Sequence, residues 1–158
     1  MKKIICMTLA LVMIAFCAVG CGKNADKDID LSAVMTDIKK QVTSIPADMM
    51  DIAQDDLIKN YYGIEKADYE SYAASINTTG IDVTEIAMFK ASSDDAVKNI
   101  EEKLQARKSS QENQMQNYLP EQYKIVKNSS VVTNGKYVTL FVGTDSAKMT
   151  EIFNSYLE

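Results

Sequence analysis

The sequence predicts an α+β domain, an antiparallel sheet of roughly four strands with helices packed on it, in the order ααββαββα. Three observations predict it. Apolar residues recur at helical spacing from Leu31 to Ile45 and again after Asp94. Val83–Ala91 and Lys136–Val142 are dense in β-formers, and Asn134-Gly135 stands between two such runs, a strong hairpin signal. Short connections between neighbouring runs make the pairing antiparallel, and interspersed helices give the α+β class.

Each element has its own grounds. Asp30 is placed to cap a first helix whose stripe is Leu31, Val34, Ile38, Val42 and Ile45, with Pro46 as its stop. A shorter helix over Gln54–Tyr62 puts Leu57, Ile58 and Tyr61 on one face, and Gly63 suits the left-handed position after its last turn. Tyr69–Ile76 and Val83–Ala91 read as strands, with Tyr69–Ala74 also compatible with a helix. Ser92 with Asp95 resembles a capping box for a long helix from Asp94 to about Tyr118. Its apolar row is Val97, Ile100, Leu104, Met115 and Leu119, and Pro120 ends it. Ser129–Thr133 and Lys136–Val142 flank the Asn134-Gly135 turn, which pairs Val131 with Val138 on one face and Val132 with Tyr137 on the other. A closing helix from Thr144 or Asp145 buries Met149, Ile152, Phe153 and Tyr156.

The N-terminus carries a different signal. Lys2 and Lys3 precede sixteen uncharged residues, Ile4–Val19, about 24 Å of helix and short of the ~30 Å hydrocarbon core. A basic start, a short apolar run and small residues at its end describe a secretory signal. Ala18-Val19-Gly20-Cys21 then resembles a bacterial lipobox, with cleavage before a diacylglyceryl-modified Cys21. Ala18 stands where leucine is commonest. The division expected is a signal peptide over 1–20, lipidated Cys21 with a short tether over 21–28, and one domain over 29–158. Residues 22–28 reach at most about 25 Å. The domain would therefore sit close to the outer face of the cytoplasmic membrane.

Composition narrows the chemistry. Loss of residues 1–20 leaves 15 basic against 22 acidic side chains. Such a chain gains nothing from counterion release, so nucleic acid is excluded as a partner. Histidine is absent and Cys21 is the only cysteine after residue 20, which removes Ser-His and Cys-His nucleophile systems and internal disulfides. No Gly-rich phosphate loop occurs, and nothing calls for a cofactor.

The segments EIAMFKA, YLPEQY and VVTNGKYVTLFV, with LSAVMTDIKKQV and YYGI before them, together resemble the bacterial lipoprotein family catalogued as domain of unknown function 4358. The resemblance implies a fold and an extracytoplasmic address in Gram-positive bacteria. It implies no catalytic residues.

Arg107 is the only arginine, on the apolar row of the long helix with Gln111 one turn on. The pair is either a fork for a ligand carboxylate or phosphate, or an internal ion-pair site; the ion pair is favoured. Asp26, Asp28 and Asp30 have the spacing of a calcium loop, but Leu31 stands where glycine is needed, so no metal site is read. The adjacent carboxylates Asp55-Asp56, Asp94-Asp95 and Glu101-Glu102 do not converge on a helix and read as caps and surface charge. Eight tyrosines could line a groove for peptide or glycan. The function expected is a lipid-anchored, non-catalytic domain that binds or supports an envelope protein, peptide or glycan. The alternative is a cell-envelope hydrolase or transferase that works with carboxylates alone, which needs two of them in one cleft.

Overall fold

The computed structural model describes residues 27–158; the expected signal peptide, Cys21 and the tether up to residue 26 lie outside them. The domain is α+β. Its sheet is antiparallel throughout and has five strands, in the order β1-β2-β3-β5-β4: β1 (Met50–Ile52), β2 (Tyr69–Ile76), β3 (Glu85–Ala91), β4 (Ser130–Asn134) and β5 (Tyr137–Val142). Among the described residues five α-helices accompany it: α1 (Leu31–Gln41), α2 (Asp55–Tyr62), α3 (Asp94–Met115), α4 (Pro120–Asn128) and α5 (Ser146–Leu157). Among the described residues no helix is long and apolar enough to cross a membrane.

Both sheet faces are covered. Alternate residues of β3 divide between two cores: Ala87 and Phe89 pack with Ile58, Tyr62, Ile100 and Leu104 of α2 and α3, while Ile86 and Met88 pack with Val34, Ile38, Met149 and Phe153 of α1 and α5. That explains why β3 and β5 are mostly apolar on both faces, since a strand covered on both sides has no solvent face.

Local chemistry sets the boundaries. Asp30 caps α1, its Oδ1 accepting from the Ser32 and Ala33 amides at 2.9 and 3.3 Å. The helix stops at Gln41, before the expected Pro46. Val42 is extended (φ −104°, ψ 94°) and buried, and Ile45 is restrained by the proline that follows it. Ser93, one residue later than expected, caps α3 by accepting from the Ala96 amide at 3.1 Å. The Ser92 hydroxyl donates instead to the Ala67 carbonyl. α3 ends at Met115, and its buried row continues through Lys108 and Gln111 rather than to Leu119.

Three elements depart further from expectation. Pro120 opens α4 at N1, where its missing N–H is not needed, besides following the end of α3. β1 is an additional edge strand of three residues, too short to carry a periodic signal. The β4–β5 hairpin turns at Gly135-Lys136, so Thr133 faces Val138 and Val131 faces Leu140. Only Gly135 (φ +58°) has positive φ there, which fits a turn with glycine at its first central position. The shift is two residues, so Val131 and Val138 still share one face and Val132 and Tyr137 the other.

Candidate functional site

Two clusters of charge lie at opposite ends of β3. At its first residue, Glu85 is 1% exposed and meets Arg107 of α3, with Nη2–Oε2 at 2.8 Å and Nε–Oε2 at 3.2 Å. Gln111 donates from Nε2 to the same oxygen at 2.7 Å. The guanidinium carbon lies 5.8 Å from the Tyr62 ring centroid and 6.0 Å from that of Tyr61, within reach of a cation–π attraction. Burial pushes the Tyr62 phenol well above its ordinary value, with the Glu85 charge adding to the effect. Burial opposes the charge of Arg107, but Glu85 outweighs it and the guanidinium is held above its ordinary value. Arg107 and Gln111 therefore meet on one carboxylate, which fills the fork a ligand would need.

At the other end, Lys90 Nζ bonds Glu70 at 2.7 Å and Asp28 at 3.1 Å. Next to it the Tyr137 hydroxyl, buried at the start of β5, donates to the Lys27 carbonyl and accepts from the Ile29 amide, both at 3.1 Å. The last two residues of the expected tether, Lys27 and Asp28, and the Ile29 that follows are thus fixed to the near end of the sheet. An ion pair and a tyrosine clamp hold them.

A groove opens beside this clamp. One lobe of about 370 Å³ lies where β1 diverges from β2, between Asp51–Ala53 and Tyr72–Ala74, under Ser32, Met35 and Thr36 of α1. A second, of about 330 Å³, runs on past Asp28, Glu70 and Lys90. Ser32 and Tyr72 line both. Lys39 bonds Asp51 on the rim. Burial raises the Asp51 carboxyl, but the hydrogen bond and charge of Lys39 lower it, and the group is held below its ordinary value.

Four carboxylates line the groove, and two of them, Asp28 and Glu70, converge on Lys90, the arrangement that carboxylate catalysis would need. Two oxygens bonded to one nitrogen lie at most about 6 Å apart, near the ~5–5.5 Å of a retaining glycosidase pair. The protonation of Glu70 is unsuited. The Lys90 hydrogen bond holds Glu70 below its ordinary value of 4.5, whereas a general acid must be held above it. The ammonium also occupies the space between them. This arrangement supports binding better than acid catalysis.

The tyrosines do not share one groove. Tyr62, Tyr69 and Tyr72 gather around Phe89, with centroids 5.7, 5.8 and 6.1 Å from its ring, while Tyr137 packs on Phe153 in the opposite core. Only Tyr72 reaches the groove lining. Of the adjacent carboxylates, Asp55 accepts from the Tyr69 hydroxyl at 2.9 Å and Glu101 from Thr133 at 3.1 Å. Among the described residues no group of His, Cys, Asp or Glu is placed to hold a metal ion.

Sequence reading missed Glu85, Lys90, Tyr137 and the groove. Glu85 was detectable: it shares a strand face with Ala87 and Phe89, and a carboxylate there needs a cation. Nothing local marks Tyr137, whose partners lie 108 and 110 residues away.

The family model described as Domain of unknown function (DUF4358) matches residues 41–143, and the chain belongs to that family. No curated protein and no solved structure matches the chain.

Proposed function

We propose that this DUF4358 member is a lipid-anchored extracytoplasmic protein whose domain binds an envelope component in the groove between α1 and the outer side of β2, without catalysis. One observation carries the reading: the groove lies at the end of the domain where Lys27–Ile29 are clamped. If Cys21 is the anchor, residues 22–28 hold the groove within about 25 Å of the lipid. The Ala18-Val19-Gly20-Cys21 sequence and the basic, apolar start supply the anchor side of the argument. A groove so placed would face components of the membrane surface rather than distant wall.

Two measurements test it. The N-terminal peptide of the membrane-bound protein should carry a diacylglyceryl mass on Cys21, and Cys21→Ala should release the protein. A photo-crosslinking residue at exposed Ala53 should then capture an envelope component that the same residue at Glu102, on the outer surface of α3, does not. An unmodified N-terminus would refute the anchor, and equal capture at both positions would refute the groove.

A further inference from the structure

We infer that the groove takes an extended peptide segment bearing basic side chains, which adds as a short strand to the outer edge of β2. The inference deepens the binding reading above and rests on it. The Asn77 amide donates to the Thr84 carbonyl at 3.0 Å, which makes that a hydrogen-bonded pair. Antiparallel ladders alternate, so Ser75 and Ala73 direct their backbone groups to β3, while Ile76, Ala74 and Tyr72 direct theirs outward. β1 pairs with Ile76 through Met50 and with Ala74 through Ile52, then leaves the sheet to enter α2 at Asp55. Tyr72 is the next outward residue. Among the described residues its N–H and C=O have no backbone partner on that side. A register shift between Tyr69 and Ser71 bends the strand beyond it, which limits the open edge to a few residues.

Charge selects the occupant. Among the described residues, Asp28, Asp30 and Glu70 on one lobe and Asp51 on the other are paired directly with Lys90 and Lys39 alone, and Lys136 acts on Glu70 from further off, which leaves the carboxylates in excess. A peptide offers main-chain donors and acceptors at the strand spacing that Tyr72 requires, and alternate basic side chains meet the surplus carboxylates. A glycan lacks that regular backbone.

The test uses the full chain in detergent micelles and fluorescein-labelled peptides. The probe is acetyl-Thr-Val-Lys-Val-Lys-Thr-amide, beside a version with both lysines replaced by glutamate and one N-methylated at the central valine. Anisotropy should show saturable binding of the lysine peptide below about 1 mM, weakened about tenfold or more by either change. Hydrogen exchange should slow at the Tyr72 amide. Ala53→Trp, which fills the first lobe from an exposed position, should abolish binding while the fold is kept; Thr36→Trp is the second variant if it is not. Equal binding of the three peptides, protection elsewhere, or no binding would overturn the strand-addition mode. So would self-association of the chain through this edge. Capture at Ala53 without peptide binding would leave the groove reading standing and remove only this occupant.

Discussion

The two ends of β3 hold the same kind of interaction under different conditions. Glu85 is enclosed, and its partners Arg107 and Gln111 have nowhere else to go. Lys90 is 20% exposed, its partner Glu70 43% and its partner Asp28 80%, with a groove alongside. A buried ion pair resists disruption because a lone charge left inside is costly, whereas an exposed one exchanges its partner for water at little cost. The first cluster fixes the fold. The second is free to change partners, which is what a binding rim requires.

The largest expected effect comes from breaking the enclosed end. Arg107→Met leaves Glu85 buried with only Gln111, and urea denaturation should show a loss of about 3–5 kcal/mol. The double variant Glu85→Leu/Arg107→Met removes both charges and should recover most of that loss. If the double variant is as unstable as the single one, packing rather than charge dominates there. Next comes the clamp. Tyr137→Phe leaves the Ile29 amide without its partner and should cost about 1–3 kcal/mol, with faster tryptic cleavage after Lys27. A smaller effect follows at the hairpin tip, where Gly135→Ala forces a side chain into the left-handed region at about 1–2 kcal/mol.

The smallest effect should come from the exposed end, and its signature is pH. Glu70 is held below its ordinary 4.5, so its contribution is complete above that pH and disappears as pH falls through the lowered value. Lys90 is held above its ordinary 10.5 by the hydrogen bonds it donates to Glu70 and Asp28, so its contribution is complete below that pH and disappears only in stronger alkali. The pair should therefore give a flat profile from about pH 5 to 10. Thermal melts of Glu70→Gln should differ little from the parent at pH 7 and should lose part of the parent's decline below 4.5. A large destabilisation at pH 7 would erase the distinction between the two ends.

Element order was legible because it follows from local rules. The Asp30 cap, Gly63 after α2 and the apolar runs of β3 and β5 each act within a few residues. What was lost acts at a distance or has two local meanings. Pro120 is equally compatible with ending α3 and opening α4, and only the packing of Val126 into the core decides for the second. Asn134-Gly135 marked the hairpin but misplaced its turn by one residue, because Asn134 keeps an ordinary φ and stays in the strand. β1 has no pattern of its own and exists because Ala74 and Ile76 offer it an edge. For the candidate site, Arg107 and Gln111 were visible as an unusual pair on an apolar row, but Glu85, twenty-two residues before Arg107, depended on the α3–β3 packing. The groove is a gap between α1, β1 and β2, and a gap has no residues of its own to read.

The Tyr137 clamp also determines how the domain bears mechanical load. Tension drawn through residues that precede Lys27 reaches the Tyr137 hydroxyl and the Asp28–Lys90 bridge before it can pull on α1. Tyr137 begins β5, a strand paired on both sides, to β3 and to β4. The first resistance to extension is therefore shared across the middle of the sheet, and α1 begins to peel only after those contacts rupture.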